Sequence, residues 1–246
     1  MKDNQELSSY STEKATEIAK NVAGSDYSKQ LETVLTVAIS EKRNLPTLRI
    51  KDKVISLDVY VDKWVKAYLG GYKNRPSVRV GNKSATLPDS IVKEILKMRC
   101  QNVDANLANK IEGGHSLSMT IENIVGDLLE EYLSIRLAEY GWYCCWGSTV
   151  DAVDFCKQDG TLLQIKTSDN SENSSSSRVR EGTDIKKWFR RFSTKENVYN
   201  WAELNKLIGK NILSEDDFRI FVAKTIQSNP MCIHVDDSNP LVKNGH

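Results

Sequence analysis

The chain has 246 residues, with 34 Lys+Arg against 33 Asp+Glu and a formal net charge of +1. That length suits one large domain or two small ones, and the balance argues against a protein that coats nucleic acid indiscriminately. Hydrophobic residues make up 39% and charged residues 27%, the profile of a soluble globular chain. No run approaches the ~18 apolar residues of a membrane span, and residues 1–6 lack the apolar stretch of a secretory signal. Five cysteines without ligand spacing fit reduced thiols in a cytoplasm better than a disulfide framework or a zinc site.

In chain order, residues 12–23 form a polar, amphipathic helix, and 27–40 carry Leu31, Val34, Leu35 and Ala38 at helical spacing. Pro46 breaks the chain, and 48–59 alternate enough for one or two short strands. A cluster from Val59 to Leu69 ends at Gly70-Gly71, a helix stop. Pro88 opens a helix over 89–100 whose buried stripe is Ile91, Val92, Ile95 and Leu96. From 121 to 140 apolar residues recur at helical spacing, including Ile124, Leu128, Tyr132 and Leu137, until Gly141-Trp142 ends the helix. Strands at 143–156 and 161–167 follow, joined through Lys157-Gln158-Asp159-Gly160, a tight-hairpin signal. Residues 168–177 are polar, with six serines in ten; 215–227 read as a helix and the tail after Asn229 as loosely held. His115, His234 and His246 lie far apart in sequence and read as ordinary surface or loop histidines.

The residues with chemistry to offer sit on the hairpin. Gln164 and Lys166 are two apart on one strand, so they share a face, and Asp154 can lie opposite them on the other. A carboxylate, an amide oxygen and an ammonium then converge. Hard cations such as Mg²⁺ take oxygen ligands, and a neighbouring lysine can orient attacking water and offset charge on phosphate. Glu130, at the rim of the long helix's buried face, is the candidate second carboxylate, with Glu122 the runner-up. Asp151, three residues before Asp154, falls on the opposite strand face.

Charge is distributed unevenly around these residues. Residues 112–154 hold one basic and eight acidic residues, net −7, whereas 155–191 hold eight basic and five acidic, net +3. Within the second segment, Asn170, Ser171, Asn173, Ser174, Ser175, Ser176, Ser177 and Thr183 are suited to reading adenine or anchoring phosphates. Arg178, Arg180, Lys186, Lys187 and Arg190 are suited to guanine edges and the backbone. A flexible linker is the plainer reading of the serines; their place directly after Lys166 favours a loop ordered by DNA.

The order of these features (Gly126-x-x-x-Glu130, a Gly-Trp stop, Asp154, an Asp-Gly hairpin, Gln164-Ile165-Lys166) resembles the PD-(D/E)xK nuclease core in its Gln-x-Lys form. Longer stretches add to this. His115-Ser116-Leu117-Ser118-Met119, Glu122-Asn123-Ile124-Val125-Gly126, Ala152-Val153-Asp154-Phe155 and the nine residues from Asp169 to Ser177 resemble the SinI/AvaII family of type II restriction endonucleases. So do Ile185-Lys186-Lys187-Trp188-Phe189-Arg190 and Asn200-Trp201. The likeness covers about residues 85–205, and the nine-residue run is its most specific part.

The resemblance implies an α/β fold, a mixed β-sheet flanked by helices, in a nuclease core with its recognition loop over 111–246; residues 1–110 read from their own spacing as a mainly helical region for packing, dimerisation or clamping DNA. The resemblance also implies a homodimer that cuts both strands of a short palindrome with Mg²⁺, leaving 5′-phosphate ends. Members of the family read GG(A/T)CC, so GGWCC or a GGNCC relative is the expected target. Asp154, Glu130 and Gln164 are then metal ligands and Lys166 the catalytic lysine, in a cytoplasmic enzyme paired with a cognate DNA methyltransferase. Two rivals stand beside this reading: a structure-specific repair nuclease or junction resolvase, and a DNA-binding protein whose nuclease site has decayed.

Overall fold

A computed structural model describes residues 6–82, 88–170 and 184–242 of the chain. Side-chain caps set where the N-terminal helices begin. Ser11 caps α1 (Thr12–Ala23), Ser28 caps α2 (Lys29–Ser40) and Ser56 caps α3 (Leu57–Lys73), each hydroxyl accepting a first-turn N–H that would otherwise be orphaned. Between them, β1 (Glu6–Leu7) pairs in parallel with β2 (Val54–Ile55), the single short strand of the 48–59 stretch. Further helices are α4 (Ser90–Arg99) and α5 (Ala105–Leu137), with α6 (Trp201–Ile208) and α7 (Glu215–Ser228) following the sheet. The four-stranded sheet has the order β3 (Trp142–Cys144), β4 (Phe155–Lys157), β5 (Leu162–Ser168) and β6 (Lys186–Arg191). Its first two pairings are antiparallel and β5–β6 is parallel, so the sheet is mixed. The α/β class and mixed sheet agree with the expectation from sequence.

Two compact units, each drawn from separate stretches, make up the chain: Met1–Arg75 with Leu129–Phe221, and Pro76–Leu128 with Val222–His246. The boundary expected at residue 110 falls inside α5, whose 33 residues start well before the expected 121. In the first unit α2 packs on β3 and β4, and α6 packs on β6. Buried Leu31, Leu35, Trp64, Phe155, Leu129 and Leu133 belong to its core. The N-terminal helices are thus part of the unit that carries the hairpin rather than a module of their own.

Four expectations are corrected. Gly70-Gly71 does not stop α3; a Cβ on Gly71 would run into the Gly147 backbone nitrogen, and one on Gly147 into the Ala67 carbonyl oxygen. Two glycines are needed there because two backbones touch. The strand expected over 143–156 is split, because residues 145–153 turn away onto α3, where Trp64 Nε1 donates to the Thr149 carbonyl at 2.8 Å. The α4 stripe is not buried: Ile91, Val92 and Ile95 are exposed. The tail after Asn229 is held within the second unit, where the Asn229 amide donates to the Pro76 and Arg79 carbonyls and Asn239 donates to Gly113. Cys232 on this tail is buried.

Candidate active site

The β4–β5 hairpin turns as expected at Asp159-Gly160, with only Gly160 left-handed (φ +84°) and Lys157 N–H donating across to Thr161. Because Phe155 pairs with Leu163, the continuing register sets Asp154 opposite Gln164. Asp154 still shares the ladder through its backbone, donating to the Leu163 carbonyl at 3.0 Å and accepting from Cys145 at 2.8 Å. Beyond it the two strands part. The Ile165 N–H, which has lost its strand partner on that side, donates instead to Asp154 Oδ2 at 2.7 Å. Asp154 thus stands at the strand's N-terminal edge, and the divergence of the strands aims its side chain.

Burial pushes the Asp154 carboxyl up to about 6, and the Ile165 N–H and the Lys166 ammonium act against that rise. Gln164 is buried beside it, and its Oε1 has no hydrogen-bond partner. A buried acceptor left without a donor costs about 1–3 kcal/mol, so this oxygen fits a ligand position. Lys166, half-buried, follows on the same face of β5. Glu130, half-buried on α5, and Asp154 both raise the pKa of the enclosed Cys144 thiol, after burial itself. Glu122 is exposed, and Asp151 is half-buried and donates its backbone N–H to the Asn44 carbonyl. Among the described residues no three His, Cys, Asp or Glu side chains converge as a metal centre.

Sequence reasoning did not find the support beneath this site. The 145–153 loop leading to Asp154 is pinned by Trp64, by the Gly71–Gly147 contact and by an edge-on Tyr72–Trp146 pair 5.9 Å apart. A helical glycine pair and an isolated tryptophan were its only marks in the sequence.

Among the candidate DNA contacts, Lys187 pairs in register with Gln164 and so lies on the same sheet face, whereas Lys186 pairs with Leu163 on the other. Both are exposed, as is Asn170 just past β5. Ser171, Asn173, Ser174, Ser175, Ser176, Ser177, Arg178, Arg180 and Thr183 lie outside the described residues. Arg190 is corrected: it is buried, 2.7 Å from the Glu215 carboxylate, with its guanidinium over the Phe218 and Tyr199 rings. It faces the aromatic cluster of Tyr132, Trp188, Trp201 and Phe218, so its charge is spent inside the unit. All five cysteines are free, and no described helix is long and apolar enough to cross a membrane. A cavity of about 850 Å³ belongs to the second unit and is lined by none of Glu130, Asp154, Gln164 or Lys166.

A sequence model of the SinI restriction endonuclease family matches residues 15–228. The type II restriction enzyme SinI of Salmonella infantis is 47% identical over 142 residues, and the type II restriction enzyme Eco47I of Escherichia coli is 44% identical over 142. Each match covers 56% of this chain and 61% of the relative, so less than two thirds of either relative is spanned.

Proposed function

This chain belongs to the SinI restriction endonuclease family, and from that premise we propose that it hydrolyses phosphodiester bonds at a short palindrome in duplex DNA, with Mg²⁺ as cofactor. The observation that carries the reading is the half-buried Asp154 carboxylate set opposite Gln164, whose side-chain oxygen is buried without a partner. This donor set fits a hard cation. Asp154, Gln164 and Glu130 are the residues that would hold it. Mg²⁺, when bound, neutralises charge developing on the phosphate and makes water a better nucleophile.

The chain's own residues do the positioning. The Ile165 N–H fixes the Asp154 carboxylate. Gln164 offers an oxygen without adding a second negative charge beside it. Lys166 holds an ammonium on the same face, where it orients the attacking water and stabilises the phosphate. Lys187 extends that positive face along β6, and Asn170 and Lys186 contact the backbone at its margins. The segment from Ser171 to Thr183 reads the bases, with Arg178 and Arg180 on guanine.

On this reading the core is of the PD-(D/E)xK type and the enzyme acts as a homodimer on GGWCC or a GGNCC relative, leaving 5′-phosphate and 3′-hydroxyl ends. It works in the cytoplasm, and a cognate methyltransferase protects the host's sites. Incubating the protein with plasmid and Mg²⁺ and sequencing the ends tests this. Discrete cuts at one palindrome, abolished by Lys166→Ala with duplex binding retained, are expected. Diffuse nicking, a preference for branched DNA, or full cleavage by Lys166→Ala would overturn it.

A further inference from the structure

Residues 41–53 carry five cations, Lys42, Arg43, Arg49, Lys51 and Lys53, against Glu41 and Asp52, a net +3 in a chain whose total is +1. All five cations are exposed. Arg43 pairs with Glu41, but Lys42, Arg49, Lys51 and Lys53 enter no ion pair among the described residues. Their backbone is nonetheless held in place. Leu45, Pro46 and Ile50 are buried, and the Tyr60 hydroxyl donates to the Pro46 carbonyl at 3.2 Å. Exposed Lys63 of α3 donates to the Arg49 carbonyl at 2.8 Å, which brings a sixth cation to the same place. Like charges gathered on a fixed backbone repel one another, so this surface is complementary to a polyanion.

The same segment is tied to the chain that leads into Asp154, within the first compact unit. Buried Asn44 donates its side-chain amide to the Val37 carbonyl at 2.7 Å, and its own carbonyl accepts the Asp151 N–H at 2.9 Å. The three residues from Asp151 to Asp154 span at most about 11 Å of extended chain. Asn44 therefore lies within about 14 Å of the Asp154 backbone, and Lys42 and Arg43 directly precede it. Duplex DNA carries a phosphate charge every ~1.7 Å of its axis. A duplex cut at Asp154 thus offers phosphates over the whole of that range.

We propose that residues 42–53, with Lys63, form a second DNA-binding surface that holds the phosphate backbone to one side of the scissile bond. Contacts of this kind fix the duplex in position and read no bases. The proposal rests on the duplex-cleavage reading above and adds a surface to it. Anisotropy of a labelled short duplex, titrated in EDTA from about 50 to about 200 mM salt, tests it without cleavage. The triple variant Arg49→Gln/Lys51→Gln/Lys53→Gln should keep the wild-type circular dichroism and Tm, since these side chains are exposed. Its salt slope should be smaller by about 2–3, and its affinity at the higher salt about 10-fold lower, equally for duplexes with and without the target. Lys29→Gln/Lys206→Gln/Lys210→Gln removes the same charge from exposed positions elsewhere in the unit and should leave the slope within about 1 of the wild type. A wild type that binds no duplex overturns both the cleavage reading and this surface. A triple variant with the wild-type slope, a loss confined to the target duplex, or an equal loss in the Lys29/Lys206/Lys210 variant overturns the surface alone.

Discussion

Replacing Asp154 with asparagine tests whether the site holds an electrostatic cost that only a cation offsets. Burial raises this carboxyl to about 6 in the folded protein, against about 3.9 when unfolded. Between those values the folded state binds more protons than the unfolded one, so stability falls as pH rises from about 4 through 6. The difference corresponds to up to about 3 kcal/mol at neutral pH. Asparagine is close in shape to the protonated acid, and its oxygen can still accept the Ile165 N–H. Urea unfolding of the EDTA-treated proteins from pH 4 to pH 8 should therefore show Asp154→Asn more stable by about 1–3 kcal/mol at pH 7.5, with the gap closing toward pH 4. Millimolar Mg²⁺ should stabilise the wild type and leave the variant unmoved, and the variant should not cleave DNA. An Asp154→Asn variant less stable than wild type at pH 7.5, or a gap independent of pH, would refute the reasoning.

Gln164→Glu sets a second carboxylate opposite Asp154, so the metal-free protein should lose about 1–3 kcal/mol. Its Tm should respond more strongly to Mg²⁺ than the wild type's, and equal responses in a thermal-shift titration would count against Gln164 as a ligand position. Arg190→Ala leaves the largely buried Glu215 without its closest cation and should cost about 3 kcal/mol in urea unfolding. A double-mutant cycle with Glu215→Ala should return a coupling above about 1 kcal/mol; no coupling would return Arg190 to the candidate DNA contacts. Gly71→Ala drives a methyl group into the Gly147 backbone and should lower stability by about 1–3 kcal/mol, seen as a reduced Tm. An unchanged Tm would show that the α3 contact is not what pins the loop before Asp154.

Much of the site was legible because strand geometry is local. Alternation put Gln164 and Lys166 on one face, and Asp159-Gly160 announced the turn that brings Asp154 across. Helical spacing likewise located α1, α2 and α7, and it placed Glu130 at the rim of a buried face. The same rules failed wherever the deciding partner was distant in sequence. Gly70-Gly71 has the form of a helix end, yet α3 continues because Gly147 comes to rest on it. Arg190 belongs to a basic run that suits phosphate, but the alternation of β6 turns it inward to Glu215. The apolar stripe of α4 was expected inside and lies outside, since periodicity marks a face without saying what covers it.

The sequence by itself therefore determined which residue types alternate along the hairpin, where a carboxylate, an amide and an ammonium can share a face, and that acidic and basic segments adjoin beneath a net charge of +1. Tertiary structure decided what those groups experience. It parted β4 from β5 so that Asp154 takes the Ile165 N–H, buried the carboxyl enough to raise it, left the Gln164 oxygen without a donor and took Arg190 out of play. Spacing along a chain dictates direction, but desolvation and pairing depend on neighbours that only folding supplies.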